Sequence, residues 1–266
     1  MAKYFGPLRR PGRPFAWLAV VALSALALPA SAGLPDTIER LRPSIVIVGT
    51  YQETRSPAFE GMGTGFVVGD GTLVATNAHV APTMTDPVAT ETLLVLVRDE
   101  NGMVQRRQAH KVAADLDHDL ALLKISGPPL VPLPLGGSDD LVVREGQRIA
   151  MTGYPVFDAL GVFPTTSRGI ISAIAPIAIP GADSRLLGSK QIRRLKQGSF
   201  AIYQLDATAY PGNSGSPVYE ADSGAIIGIV NMVLVKGLKE NALSAPSGIT
   251  YAIPILYLQE LLRSVR

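Results

Sequence analysis

Ser214 lies in "YPGNSGSPVYE" (210–220), where Pro211, Gly212, Asn213, Ser214, Gly215, Ser216 and Pro217 interrupt a segment otherwise dominated by alternating apolar residues. Each of these residue types favours tight turns for its own steric reason. The stretch therefore reads either as an ordinary turn or as one that presents a hydroxyl among free backbone N–H groups. A serine hydroxyl is a weak nucleophile at neutral pH and needs a neighbouring base. The chain has three histidines. His79, in "VATNAHVAP", stands where a strand runs into a small-residue turn before Pro82, with no charged residue beside it. His110 sits in the middle of the basic strand "VQRRQAHKV", and His118 in "DLDHDLALL". A strand-end turn can hold an imidazole at a cleft edge, which favours His79 over both rivals.

An imidazole base needs an acid that fixes its tautomer and stabilises the imidazolium as it forms. Asp115, Asp117 and Asp119 precede "LALLKI", and Asp119 abuts the apolar run most closely. A carboxylate at the start of a buried strand can accept from the imidazole and from backbone, while Asp115 and Asp117 read as turn residues. Gly212 and Gly215 flank the serine and let the chain fold so that the N–H groups of Gly212 and Ser214 converge on one point. Such a pair would stabilise a tetrahedral oxyanion, where losing one donor costs about 100 to 1000-fold in rate. Ser216 reads as opening a strand.

The elements that must position these groups are mostly strands. Runs at 45–51, 63–69, 72–77, 92–97, 104–115 and 120–125 are β-rich and punctuated by Gly, Asp, Asn and Pro. That spacing is typical of all-β barrels or sandwiches. A second set follows at 148–154, 165–174, 200–207, 216–220, 225–235 and 249–254. Between the sets, 127–146 carries four prolines and a Gly-Gly pair and reads as an inter-domain crossing. A brief helix is expected at 34–44, with Asp36 and Thr37 as caps and Pro43 as its stop, and a terminal helix at 255–266. The expected fold is all-β: two barrels, a short N-terminal helix and a C-terminal helix.

Residues 1–32 are set apart. Lys3, Arg9, Arg10 and Arg13 form a basic leader, 15–28 is a largely apolar run, and Pro29-Ala30-Ser31-Ala32 offers a small-residue cleavage site. The run is shorter than the roughly 20 residues that span a bilayer, so a cleaved export signal is expected rather than a stable membrane anchor. The protein is then exported, to the periplasm or the medium. Without the leader the net charge passes from +2 to −2, so the basic balance belongs to the signal and no nucleic-acid affinity follows. There is no cysteine, which excludes disulfides, thiolate catalysis and Cys-based zinc sites. The three histidines show no metal-ligand spacing, so no metal or cofactor is expected. A basic stretch, Arg185 to Lys196, reads as a solvated loop or short helix.

The motifs "GTGFVV", "LVATNAHV", "DLALLKI", "GSDDLVVREGQRIAMTGYP", "TSRGIISAI", "QLDATAYPGNSGSPV" and "GITYAIP" stand in the order found in trypsin-like serine endopeptidases. The chain resembles their HtrA/Deg-like branch over roughly 37–262. The resemblance implies two six-stranded antiparallel β-barrels with the site in the cleft between them. The first would span 33–135 and carry His79 and Asp119, and the second 136–266, carrying Ser214. It implies His79 as general base, Asp119 as orienting acid, Ser214 as nucleophile and an oxyanion hole from the N–H groups of Gly212 and Ser214. It also implies polypeptide substrates and allows a homo-oligomer.

Two departures bear on regulation. Only 12 residues follow "ITYAIP", too few for the PDZ domain that HtrA proteins usually carry. Asn213 stands where digestive proteases have an Asp that pairs with a new N-terminus. Thr208, six residues before the serine, with Val230, Asn231 and Met232, would line the substrate pocket. Their neutrality points to small or medium aliphatic side chains. The alternative function is a catalytically silent binding or chaperone-like module on the same fold.

Overall fold

The computed structural model describes residues 1–4, 6, 33–82, 91–99, 101–136, 142–157, 161–176, 200–232 and 249–265. The expected leader run 15–28 and the basic stretch 185–196 lie outside the described residues. So does the middle of the expected crossing, 137–141.

Among the described residues twelve strands follow one another from Ile45 to Pro254, bracketed by a helix at each end. The first six are β1 (Ile45–Tyr51), β2 (Phe59–Val68), β3 (Leu73–Asn77), β4 (Thr92–Arg98), β5 (Val104–Asp115) and β6 (Leu120–Ile125). They close into an antiparallel barrel in the order β1-β2-β3-β6-β5-β4. The second six are β7 (Arg148–Gly153), β8 (Thr165–Pro176), β9 (Ala201–Asp206), β10 (Pro217–Glu220), β11 (Ile226–Val230) and β12 (Ile249–Pro254). They close in the equivalent order β7-β8-β9-β12-β11-β10, so the two barrels share one topology. Closure leaves neither sheet with a free edge. Helices α1 (Leu34–Leu41) and α2 (Ile255–Arg263) flank the strands. Among the described residues no helix is long and apolar enough to cross a membrane.

Burial on both faces explains why so many strands read as continuous apolar runs rather than clean alternations. In β1, Val46 and Val48 point into the first barrel with Val67, Val74, Val95 and Leu123. The intervening Ile45 and Ile47 face outward into a separate cluster with Phe66, Leu120, Tyr154, Tyr219, Ile229 and Leu258. That cluster draws on both barrels and both helices. The second barrel has its own interior, with Ile149, Met151, Ile171, Leu205, Val218, Ile227 and Val230. Strand β5 has less to bury outside the barrel, and from Gln108 to Asp115 its residues alternate between exposed and partly buried.

Two expectations change in detail. Strand β2 begins at Phe59 rather than residue 63, because the "EGMG" stretch pairs with β1 across a register shift at Val48/Gly49. Helix α1 starts after Gly33, so Asp36 lies inside the first turn, where its carboxylate accepts the Gly33 N–H at 3.2 Å. Thr37 caps nothing: it is buried in the helix, and its hydroxyl donates to Asp222 O at 3.2 Å, docking α1 on the β10-β11 turn. The described part of the crossing threads between the barrels. Leu133 N–H donates to Val67 O at 2.9 Å, and Ile226 N–H to Pro134 O at 2.8 Å.

Candidate active site

His79 follows β3 in a turn, and Asp119 ends the turn into β6, its neighbour in the sheet. The Asp119 backbone is held from the β3 side: its carbonyl accepts Ala78 N–H at 3.0 Å and Asn77 Nδ2 at 3.1 Å. These bonds fix Asp119 at φ 54°, a left-handed conformation that costs an ordinary residue energy and is tolerated where its surroundings over-determine it. Its carboxylate then meets His79 twice. Oδ1 accepts the His79 backbone N–H at 3.0 Å, and Oδ2 lies 2.6 Å from His79 Nδ1. A third donor comes from the other barrel: Asn231 Nδ2 reaches Oδ2 at 2.7 Å.

Burial of Asp119 works to raise its carboxyl. The hydrogen bond and charge of His79, its backbone amide and the Asn231 amide outweigh that and hold the group below the ordinary aspartate value. An ionised carboxylate only accepts, so Nδ1 must carry the proton. That leaves Nε2 of a neutral ring as the free lone pair, the tautomer a general base requires.

Ser214 is buried, at 6% exposure, in the turn before β10. Its Oγ lies 3.4 Å from the Met232 N–H, a long contact, and among the described residues no hydrogen bond joins it to His79. Catalytic hydrogen bonds are often loose without substrate and tighten in the complex. Asn231 and Met232 are successive residues, so one dipeptide touches both the Asp119 carboxylate and the Ser214 hydroxyl. Gly63 of β2 packs where any Cβ would fall 2.8 Å from both Ser214 O and the Val80 side chain, so only a glycine there lets the serine carbonyl and the residue after His79 both close on β2.

The turn itself is tied at each carbonyl. Tyr210 O accepts Asn213 N–H at 2.9 Å, Pro211 O accepts Val156 N–H at 2.9 Å, and Asn213 O accepts Ser216 N–H at 3.0 Å. Gly212 has φ +97°, and a Cβ there would lie 2.5 Å from Tyr154 O. Among the described residues no acceptor meets the N–H of Gly212 or of Ser214, the two donors expected to face an oxyanion.

The other candidates fall elsewhere. His110 is exposed on β5. His118 forms a second histidine-aspartate pair, Nδ1 to Asp115 Oδ2 at 2.6 Å, stacked 3.9 Å from the Tyr257 ring and edge-on to Phe200. Asp115 Oδ1 also accepts the N–H groups of Asp117 and His118, as a turn aspartate does. Of the four residues expected to line a pocket, Val230 is buried in the second barrel's interior and Asn231 is committed to Asp119, while Thr208 and Met232 remain partly exposed. The link between Asn231 and Asp119 was not foreseen, and its one sequence signal is a polar residue inside the apolar run 226–235. Among the described residues no group of His, Asp and Glu could hold a metal ion.

Residues 63–229 match the model of the trypsin-like peptidase domain, and the chain belongs to that family. Within it the relatives are of the HtrA/DegP type. A probable periplasmic serine endoprotease DegP-like from Halomonas elongata is 30% identical over 208 residues, covering 78% of this chain and 34% of that protein. Serine protease HTRA2, mitochondrial, from Bos taurus is 31% identical over 233 residues, covering 86% of this chain and 42% of that protein. This chain therefore spans well under half the length of these relatives. The crystal structure of Deg5 is 27% identical, superposes with a TM-score of 0.60, and covers 85% of this chain and 90% of its own.

Proposed function

We propose that this protein is an exported serine endopeptidase that cleaves polypeptides through an acyl-enzyme. Ser214 Oγ attacks the peptide carbonyl carbon as its proton passes to His79 Nε2, and Asp119 stabilises the resulting imidazolium. The N–H groups of Gly212 and Ser214 receive the oxyanion. Collapse of the tetrahedral intermediate returns the proton from Nε2 to the departing amine and leaves the acyl group on Ser214. Water, deprotonated by His79, then releases the acid.

The single observation that carries this reading is the 2.6 Å contact between His79 Nδ1 and a carboxylate held ionised by two further donors. It prepares a base in the right tautomer, and the Asn231-Met232 dipeptide links its aspartate to a serine whose turn leaves two amides unengaged. Thr208 and Met232 are the partly exposed pocket residues, and both are neutral, which supports small or medium aliphatic side chains at the cleaved position. The length and apolarity of 15–28 support export to the periplasm or medium.

Labelling with a fluorophosphonate tests the reading. Labelling of the wild type that disappears in Ser214→Ala supports it. Equal labelling of the two proteins, or none in either across pH and with added peptide, rejects it in favour of a binding module.

A further inference from the structure

Thr64 belongs to β2 in the first barrel and is fully buried. Its backbone N–H donates to Ser214 O at 2.8 Å, and its Oγ1 donates to Gly212 O at 2.8 Å. The same Oγ1 accepts the Tyr154 N–H at 3.0 Å. A threonine hydroxyl has one proton and two lone pairs. Since Tyr154 N–H can only donate, the Thr64 proton is directed at Gly212 O. Thr64 is anchored within its own barrel by Thr76 Oγ1, which donates to Thr64 O at 2.7 Å. One residue of the first barrel thus grips the carbonyls on both sides of Asn213 in the second.

In a trans peptide the N–H points opposite the carbonyl of the preceding residue. The Gly212 N–H is therefore aimed by Pro211 O, which Val156 holds, and the Ser214 N–H by Asn213 O, which Ser216 holds. Turning the Gly212 N–H away means rotating the 211–212 peptide, and a glycine at φ +97° offers little steric resistance. That rotation is shared by ψ of Pro211 and φ of Gly212 and runs about the line joining their Cα atoms, whose Gly212 end is steadied when Gly212 O is held. Thr64 Oγ1 fixes that oxygen. With it, four consecutive carbonyls from Pro211 to Ser214 are tied, two of them to Thr64.

We infer that Thr64 is a positioning residue for the oxyanion site, its hydroxyl holding Gly212 O so that the Gly212 N–H faces the developing charge. This rests on the peptidase reading above and adds to it a residue 150 positions away from the nucleophile.

Thr64→Val keeps the shape and removes the hydroxyl, while Thr64→Ser keeps the hydroxyl. Each is compared with wild type for its thermal melt, fluorophosphonate labelling rate, hydrolysis of a casein-derived peptide, and inhibition by a peptide boronic acid, whose tetrahedral adduct carries an oxygen toward the same donors. In T64V we expect kcat and labelling rate to fall about 10 to 100-fold, within the loss caused by removing a donor outright, with KM changed less than about threefold. Boronate affinity should fall in parallel, and T64S should recover most of each. If T64V does not melt cooperatively, Thr64→Ala against T64S gives the same comparison. Labelling and boronate affinity equal to wild type in the hydroxyl-free variant overturn the proposal. So does an equal fall in T64S, which would mark Thr64 as packing alone. A wild type that neither labels nor cleaves overturns the peptidase reading itself, a result distinct from either.

Discussion

Asn231 Nδ2 and His79 Nδ1 converge on the same oxygen, Asp119 Oδ2, at 2.7 and 2.6 Å. The amide arrives from the second barrel just past β11, while the histidine and aspartate belong to the first, so the carboxylate is fixed across the junction. Removing this donor leaves the carboxylate freer to rotate and its charge less compensated. Asn231→Ala should lower kcat about tenfold or more, as expected for a hydrogen bond to a charged group worth about 1.5 to 3 kcal/mol. Asn231→Asp should do more damage, because a second carboxylate would replace the donor. Steady-state hydrolysis of a fluorogenic peptide checks both, and a wild-type rate in Asn231→Asp would remove Asn231 from any role in orienting the acid.

The state of Asp119 shapes the pH profile. Its carboxyl titrates below the ordinary aspartate value, so it stays ionised while the imidazole takes its second proton. One proton then abolishes the base, and log(kcat/KM) should fall with unit slope on acidification down to about pH 4, the usual aspartate range. A slope of two above that range would show Asp119 titrating with the histidine. For stability the sign follows from the same depression. A carboxyl whose folded pKa lies below its unfolded value stabilises the fold above the unfolded value and loses that contribution as pH falls toward the folded one. The stability advantage of wild type over Asp119→Asn in urea melts should therefore persist from pH 7 to about 4 and shrink below it.

Gly212 offers a test of the turn with little change in chemistry. Alanine at φ +97° is strained, and its Cβ would fall 2.5 Å from Tyr154 O, a backbone atom that cannot simply step aside. Gly212→Ala should shift the 211–212 peptide and cost about 100 to 1000-fold in kcat, comparable to losing one oxyanion donor. The protein should still melt cooperatively, because the turn lies outside the main apolar clusters. Unchanged turnover would show that the Gly212 amide does not serve the oxyanion.

The strands were readable because each carries a run of apolar residues long enough to bury, and Gly, Pro and Asn break the runs where the chain turns. The runs hid which face each residue uses. Ile45 and Val46 look alike in sequence, but one packs between the barrels and the other within one. The start of β2 was missed because "EGMG" looks like a turn, and its pairing with β1 depends on a register shift that no local pattern announces. His79 and Asp119 could be picked out from strand-end position, 40 residues apart. Asn231 and Thr64 could not be assigned their contacts, since their partners Asp119 and Gly212 lie 112 and 148 residues away. His118 shows the limit of residue type alone, for it too holds an aspartate at 2.6 Å, yet sits against Tyr257 and Phe200 rather than at the serine.

Helix α1 follows directly on the expected leader, and its docking makes it part of the folded domain rather than a tail. Leu41 is 1% exposed within the cluster shared by the two barrels, while Arg40 on the outer face reaches Ser223 O at 2.6 Å from an exposed position. These two neighbours separate a buried side chain from a single exposed hydrogen bond. Leu41→Ala should destabilise the protein by about 2 to 5 kcal/mol through lost burial and the cavity left behind. In a domain of this size that lowers Tm by roughly 5 to 15 °C. Arg40→Ala removes one exposed hydrogen bond and should cost no more than about 1 kcal/mol. Thermal melts of both variants decide the matter: a Leu41→Ala protein as stable as wild type would mean that α1 is not packed on the shared apolar cluster in solution.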